Sequence, residues 1–184
     1  MKWGRGVDTD LEIRPLTEAD AQGWRELRLR MLRDHPDVFG SSWEEFAQQS
    51  LEEIARRMRE RNAPPDNVLF GAFENGRLTG STGLHREEGA KDRHKAMIWG
   101  VYTAPEARGR GVGRALMDAA IARARATAGL ERLTLAVATH NTAARALYIS
   151  LGFAPWGLER HALRLPDRYI DEEHFALDLE ERDG

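Results

Sequence analysis

The feature that most constrains this chain is a strand, a glycine loop and a helix that follow one another directly between residues 98 and 117. The segment before Pro105 is rich in aromatic and β-branched residues, as strands are, and proline cannot donate to a strand ladder. The loop carries Gly109, Gly111 and Gly113. From Val112 onward, apolar residues recur on one face of a helix. The sequence therefore predicts a strand that passes through a tight loop into a helix.

Arginines alternate with the glycines of this loop, at Arg108, Arg110 and Arg114. Free amide groups at a helix start, the positive end of the helix dipole and nearby arginines together suit a pyrophosphate. Glycine allows the backbone to approach such an anion closely. The alternative is a glycine-rich turn between a strand and a helix that binds no ligand.

Two common phosphate-binding patterns do not fit the loop. A Walker loop needs Lys and then Ser or Thr after its last glycine, but Gly113 is followed by Arg114 and Ala115. The dinucleotide pattern G-x-G-x-x-G needs glycine where Arg114 or Leu116 stands. The remaining pattern is Arg-x-x-Gly-x-Gly.

Composition excludes several classes of function. The chain has 184 residues, of which 41% are hydrophobic and 31% are charged, as in a soluble single-domain protein. The net charge of −3 provides no basic field for nucleic acid. The absence of cysteine excludes disulfides, thiolate catalysis and cysteine-ligated zinc, and it favours a cytoplasmic location. We expect no metal site, no membrane segment and no signal peptide.

The order of elements predicts a mixed α/β fold. Residues 1–10 are expected to form a loose leader and residues 11–180 a single domain. The predicted order is β-α-α-β-β-β-α-β-α-β-β, with antiparallel and parallel strands in one central sheet flanked by helices. The strands are expected at 11–15, 67–74, 77–86, 94–103, 133–138, 156–165 and 173–179, and the helices at 17–35, 50–61, 112–128 and 141–151. Ser50 and Glu53 have the spacing of a capping box, and Asn75-Gly76 predicts a hairpin turn.

A second motif lies between residues 141 and 153. Its residues fit the pattern N-x-x-A-x-x-L-Y-x-x-x-G-F through Asn141, Ala144, Leu147, Tyr148, Gly152 and Phe153. With the glycine loop before it, this stretch resembles the GCN5-related N-acetyltransferase (GNAT) superfamily, over roughly residues 11–180. Each position also has a simpler interpretation, because Asn141 is a good helix cap and Tyr148 has the spacing of a core aromatic.

The resemblance implies a site for acetyl-CoA, used as a cosubstrate. The pyrophosphate would lie on the loop, and the strand before it would separate from its neighbour and pair with the pantetheine arm, to which Asn141 would also bond. A main-chain N–H near Val101 would stabilise the oxyanion, and Tyr148 would act as the acid toward the leaving thiolate. The cofactor-binding residues implied in this way are Val101, Tyr102, Thr103, Arg108, Gly109, Arg110, Gly111, Val112, Gly113, Arg114 and Asn141.

The general base and the acceptor are less constrained. The strand before the loop lacks the glutamate that many family members carry, which leaves a water chain, no base beyond solvent, or one of His85, Glu87, His94 and His140. The segments 35–43 and 156–173 would form the walls of the acceptor pocket. Their excess of acidic residues suits a cationic amine, or forms a solvated acidic surface.

The expected activity is transfer of an acetyl group to a primary amine by direct attack in a ternary complex. An acyltransferase that uses another acyl-CoA or an oxygen acceptor remains open. So does a catalytically silent CoA-binding sensor or scaffold, which the missing strand carboxylate favours. Pairing of two copies through the C-terminal strands is a further expectation.

Overall fold

The computed structural model describes residues 10–61 and 66–179 as a mixed sheet with helices on both faces. The helices are α1 (Ala21–Asp34), α2 (Trp43–Ala47), α3 (Leu51–Arg61), α4 (Val112–Arg125) and α5 (Thr142–Ser150). The strands are β1 (Leu11–Pro15), β2 (Asn67–Glu74), β3 (Arg77–Arg86), β4 (Lys95–Thr103), β5 (Arg132–Ala138), β6 (Ala154–Arg164) and β7 (Tyr169–Asp178).

The seven strands are arranged in the order β1-β2-β3-β4-β5-β7-β6. Every neighbouring pair is antiparallel except β4 and β5, which are parallel. The predicted α/β class and mixed sheet are therefore confirmed. The leader over residues 1–10 lies almost entirely outside the described residues, and the domain bounds 11–180 stay a prediction. Among the described helices, none has both the length and the apolar character needed to span a membrane.

Two apolar clusters cover the two faces of the sheet. Adjacent strand residues point to opposite faces, and on β4 Ile98 joins the cluster under α4 and α5, whereas the next residue, Trp99, packs against the cluster under α1 and α3. Tyr148 belongs to the first cluster, together with Phe175 of β7. The strand that leads into the glycine loop is therefore packed by helices on both faces.

Local sequence signals account for several element boundaries. Ser50 and Glu53 form the predicted capping box, in which the Glu53 carboxylate accepts from the Ser50 N–H at 2.8 Å and the Ser50 hydroxyl accepts from the Glu53 N–H at 3.2 Å. The predicted hairpin turn has positive φ at both Asn75 and Gly76, at 51° and 76°. These boundaries depend on neighbours in sequence, so the sequence alone predicts them.

The C-terminal hairpin differs from its prediction. Strand β7 begins at Tyr169 rather than at residue 173, and β6 begins at Ala154. The polar run from Asp171 to His174 has no strand-like alternation of apolar residues, but backbone pairing with β5 and β6 makes it a strand. Helix α4 also ends at Arg125, earlier than the predicted residue 128.

Gly83 of β3 is required by the packing of β4. A Cβ atom at this position would overlap the indole ring of Trp99. Gly83→Ala should therefore lower the free energy of unfolding by about 1–3 kcal/mol, as overpacking of a filled core does. Gly157→Ala is the matched control, because no atom lies within 4 Å of a Cβ at Gly157. Urea unfolding measures both, and equal stability of the two variants would contradict this packing.

Candidate active site

The site begins where β4 and β5 separate. The two parallel strands pair only over Lys95–Met97 and Arg132–Thr134. Beyond these pairs β4 continues to Thr103 and β5 to Ala138, with no strand between them in the described part of the chain. Their facing backbone groups are left open in this β4–β5 gap, as at the edge of a sheet.

A β-bulge lies within the open part of β4. The register with β3 passes from Ser81 opposite Tyr102 to Gly83 opposite Trp99, which adds one residue to β4. Gly100 lies in the bulge and adopts a positive φ of 61°, which glycine accommodates readily. Its carbonyl accepts a hydrogen bond from the Ser81 hydroxyl at 3.2 Å. The bulge fixes the backbone around Val101 at the mouth of the gap.

The glycine loop lies at the end of β4 and opens α4. Gly109 and Gly111 have φ values of 75° and 81°, and a Cβ at either position would have no atom within 4 Å. Gly111 is the N-cap, and its carbonyl accepts from the Ala115 N–H at 3.0 Å. The preceding N–H groups of the first turn have no carbonyl of the helix to bond to. The loop thus presents open backbone at the positive end of a helix dipole.

Two of the loop arginines have no carboxylate partner among their described contacts. Arg108 donates from Nε to the Thr103 carbonyl at 3.0 Å, and its Nη2 lies 2.9 Å from Nε2 of His35. Arg114 donates to the Ser150 hydroxyl at 2.6 Å.

Arg110 differs from the other two, because it is paired with the buried carboxylate of Glu74 at 2.8 Å. The charge of Arg110 is therefore already paired, although its side chain is 42% exposed, and its part in binding a pyrophosphate stays a prediction. Tyr102 and Val112 also turn their side chains into the core. They can contribute only main-chain groups to a ligand.

Asn141 and Tyr148 stand on α5, beside the gap. Asn141 caps the helix, and its Oδ1 accepts from the Ala144 N–H at 3.3 Å. The Tyr148 ring packs edge-on against Phe153 and Phe175, at centroid distances of 6.2 and 6.4 Å. Burial raises the pKa of the Tyr148 phenol above its usual value of 10.0, so the hydroxyl stays protonated at neutral pH.

The four candidate bases lie in different places. His94 and Glu87 are at the start of β4, far from the glycine loop, because the His94 carbonyl bonds to the start of β5 and the Glu87 N–H bonds to Lys95. His140 lies 3.3 Å from Asp37. His85 alone among the four lines the cavity described next.

A cavity of about 690 Å³ lies between α1, α2, α3 and strands β2 to β4. We call it the α1 cavity. Its walls include the side chains of Trp24, Phe46, Met97 and Trp99, together with His85 and the guanidinium of Arg28.

Sequence reasoning missed Arg28. Arg28 is only 8% exposed, on α1, between the buried Trp24 and Leu32 at helical spacing. A charged residue in the centre of an apolar helix face is the signal that could have identified it.

Several acidic side chains of the two predicted walls have basic partners. Asp37 lies 3.3 Å from both His140 and Arg168, and this contact joins the two predicted wall segments. Ion pairs also join Asp167 with Arg168 and Glu173 with Arg145, and the Glu159 carboxylate lies 3.0 Å from Nε2 of His174. Glu172, another acidic residue of the predicted wall 156–173, is half-buried, and burial raises the pKa of its carboxyl.

Comparison with known proteins places these features in context. The model of the acetyltransferase (GNAT) family matches residues 28–153. A mycothiol acetyltransferase of Thermobispora bispora is 36% identical over 142 residues, which cover 76% of this chain and 45% of that protein. The chain thus spans less than half the length of this curated relative.

Solved structures share the fold. An acetyltransferase of the GNAT family from Streptococcus pneumoniae superposes with a TM-score of 0.83 at 23% identity, over 92% of this chain and 99% of that one. The yncA protein of Salmonella typhimurium, solved with its cofactor acetyl-CoA, gives 0.79 at 21% identity, over 95% and 96%. At this level of identity the likeness is one of fold.

Replacement of Arg28 tests whether the burial of its guanidinium lowers the stability of the fold. Its guanidinium has no carboxylate partner among the described residues, and desolvation lowers its pKa to about 10. Replacing a buried unpaired charge with an apolar side chain of similar volume removes that penalty. Arg28→Met should raise the free energy of unfolding by about 1–3 kcal/mol, measured by urea unfolding at neutral pH. A fall of similar size would mean that Arg28 stabilises the fold.

Proposed function

The chain belongs to the GNAT family of acetyltransferases, and from this we propose that it transfers the acetyl group of acetyl-CoA to an amine. The observation that carries the proposal is the β4–β5 gap, which lies directly beside the glycine loop. An extended amide chain in the gap and an anion on the loop would be the two halves of one ligand. Bound acetyl-CoA would supply an activated thioester, and this chain would supply the groups that hold it and move protons.

The loop has the properties that a pyrophosphate site requires. The positive φ of Gly111 and the empty space beside it leave room for an anion against the backbone. Arg108 and Arg114 have no carboxylate partner among their described contacts, so their charge remains available to a phosphate. Backbone groups from Gly109 to Arg114 would provide the remaining donors.

The open edge of β4 would hold the pantetheine arm. Backbone groups of Val101, Tyr102 and Thr103 lie along the gap without a neighbouring strand on that side. Asn141 is at the start of α5 and would bond to the same arm. The Val101 N–H, next to the bulge at Gly100, would donate to the thioester oxygen as negative charge develops on it.

Tyr148 would donate a proton or a hydrogen bond to the departing thiolate. Its raised pKa keeps the hydroxyl in the donor form throughout the neutral range. The base that receives the amine proton is the least constrained group. Of the four candidates only His85 lines the α1 cavity, so we assign it this role, directly or through water.

The acceptor, the location and the oligomeric state are separate questions. The acceptor is not carried over from the mycothiol acetyltransferase, because this chain spans less than half of that protein's length. A cytoplasmic location is supported by the absence of cysteine. Self-association through β6 and β7 stays a prediction.

A catalytically silent CoA-binding protein of the same fold is the second candidate. The absence of a carboxylate on β4 favours it. Turnover of an amine with release of free thiol distinguishes an enzyme from such a sensor.

Charge at Gly111 tests the pyrophosphate site. Asn and Asp both tolerate positive φ and have the same size, so Gly111→Asn and Gly111→Asp differ only in charge. Gly111→Asp should bind acetyl-CoA about 10- to 100-fold more weakly than Gly111→Asn, because a carboxylate would face the phosphates. Isothermal titration measures both affinities, and equal values would mean that the pyrophosphate lies elsewhere.

Tyr148→Phe tests the acid. The variant keeps the ring that packs on Phe153 and Phe175 and removes only the hydroxyl. We expect kcat to fall by roughly 10²-fold with little change in the Kd for acetyl-CoA, since the lost interaction acts on the departing thiolate. Thiol release gives kcat and titration gives the Kd. An unchanged kcat would identify Tyr148 as a core aromatic only.

A further inference from the structure

Arg28 is a buried cation whose contacts are all with neutral groups. Its Nη2 donates to the Ser41 hydroxyl at 3.1 Å, and its Nη1 lies 3.6 Å from the Met31 sulfur. The guanidinium carbon lies 5.9 Å from the centre of the Trp24 ring and 5.7 Å from that of Phe39. No carboxylate of the described residues forms an ion pair with it, although arginine prefers a bidentate partner when it is buried.

Burial of a guanidinium without a counter-ion lowers the stability of the folded state. A charge taken out of water loses its hydration, and only an opposite charge or several strong hydrogen bonds restore the loss. Desolvation lowers the pKa of Arg28, but at about 10 the group is still protonated at neutral pH. A permanent cation held without a counter-ion in an apolar wall is prepared for an anion that arrives from outside.

The position of Arg28 relates it to the reacting groups. A Cβ atom at Gly100 would lie 3.7 Å from Nη1 of Arg28, so the guanidinium lies directly beside the bulge of β4. The next residue is Val101, whose N–H we assign to the thioester oxygen. A ligand on Arg28 is therefore within a few bonds of the proposed acetyl position, on the face of β4 opposite α4.

The rest of the α1 cavity indicates the other parts of such a ligand. Trp24, Phe46, Met97 and Trp99 give it mainly apolar walls. The other charged side chains of its lining, Arg57, Glu60 and Glu88, are exposed, whereas Arg28 is buried. Among the described lining residues, the interior thus combines one buried cation with apolar surface and includes no buried anion that would attract a cationic tail.

We propose that Arg28 binds the carboxylate of the acceptor, so that the acceptor is an amino acid or a similar amine that carries a carboxylate close to its amino group and an apolar side chain. The Ser41 hydroxyl supplies a second donor to the same carboxylate. This inference rests on the proposed function, since it names the acceptor class of that site. A polyamine or another cationic amine is disfavoured, because its second charge would meet the guanidinium.

Binding of a matched pair of product-like probes tests the inference without turnover. N-acetyl-L-methionine and N-acetyl-L-methioninamide differ only in the carboxylate, and each is titrated into protein saturated with CoA. We expect the acid to bind at least about 10-fold more tightly, as a hydrogen bond to a charged group provides. Equal affinities, or no binding of either probe to the CoA-loaded protein, overturn the inference.

Variants assign the preference to Arg28. Arg28→Met should abolish the difference between the two probes, and Arg28→Lys should keep part of it, because the charge remains without the planar fork. Arg33→Met is the control on the same helix, since the Arg33 side chain is 67% exposed, and it should keep the full preference. A preference that survives in Arg28→Met would place the carboxylate elsewhere.

Turnover separates this inference from the proposed function. L-Methionine should be acetylated with at least about 10-fold higher kcat/KM than 3-(methylthio)propylamine, the same amine without its carboxylate. Equal rates for both amines would overturn the carboxylate assignment and leave the acetyltransferase intact. Failure of the protein to bind acetyl-CoA at all would overturn the proposed function itself.

Discussion

The separation of β4 from β5 is the constraint on which the rest of the site depends. The two strands share only three residue pairs and then diverge. Because they are parallel, their carboxyl ends lie at the same edge of the sheet, where α/β folds bind ligands. Helix α4 begins after β4 and α5 begins after β5, so two helix N-termini and two open strand edges face one gap. Closing the gap with continuous pairing would remove the space for an extended ligand.

The part of β4 beyond its pairing with β5 has two functional sides. Its edge faces the gap, and one of its faces lies over the α1 cavity, with the bulge at Gly100 between them. The polar groups around this stretch are less well satisfied than those of an ordinary core. Arg28 has no counter-ion among the described residues, and the Tyr102 hydroxyl is buried without a hydrogen-bond partner. Functional sites commonly carry such unsatisfied groups at the expense of stability.

Local chemistry explains what the sequence could predict. The glycine loop, the capping box at Ser50 and the turn at Asn75 all depend on residues close together in the chain, and each is found where it was expected. The family pattern from Asn141 to Phe153 likewise covers only α5 and the residues that flank it.

Contacts between distant segments were not predictable in this way. The pairing of Arg110 with Glu74 and the contact of Asp37 with Arg168 each join residues far apart in the sequence. They changed the expected charge of the loop and of the acceptor walls.

Amide hydrogen exchange with and without acetyl-CoA tests the central claim most directly, because it locates the ligand on the backbone. Protection on binding should appear at 101–103 and 109–114 and be absent from β1 and β2. Tight binding that leaves those two segments unprotected would contradict the β4–β5 gap as the cofactor site.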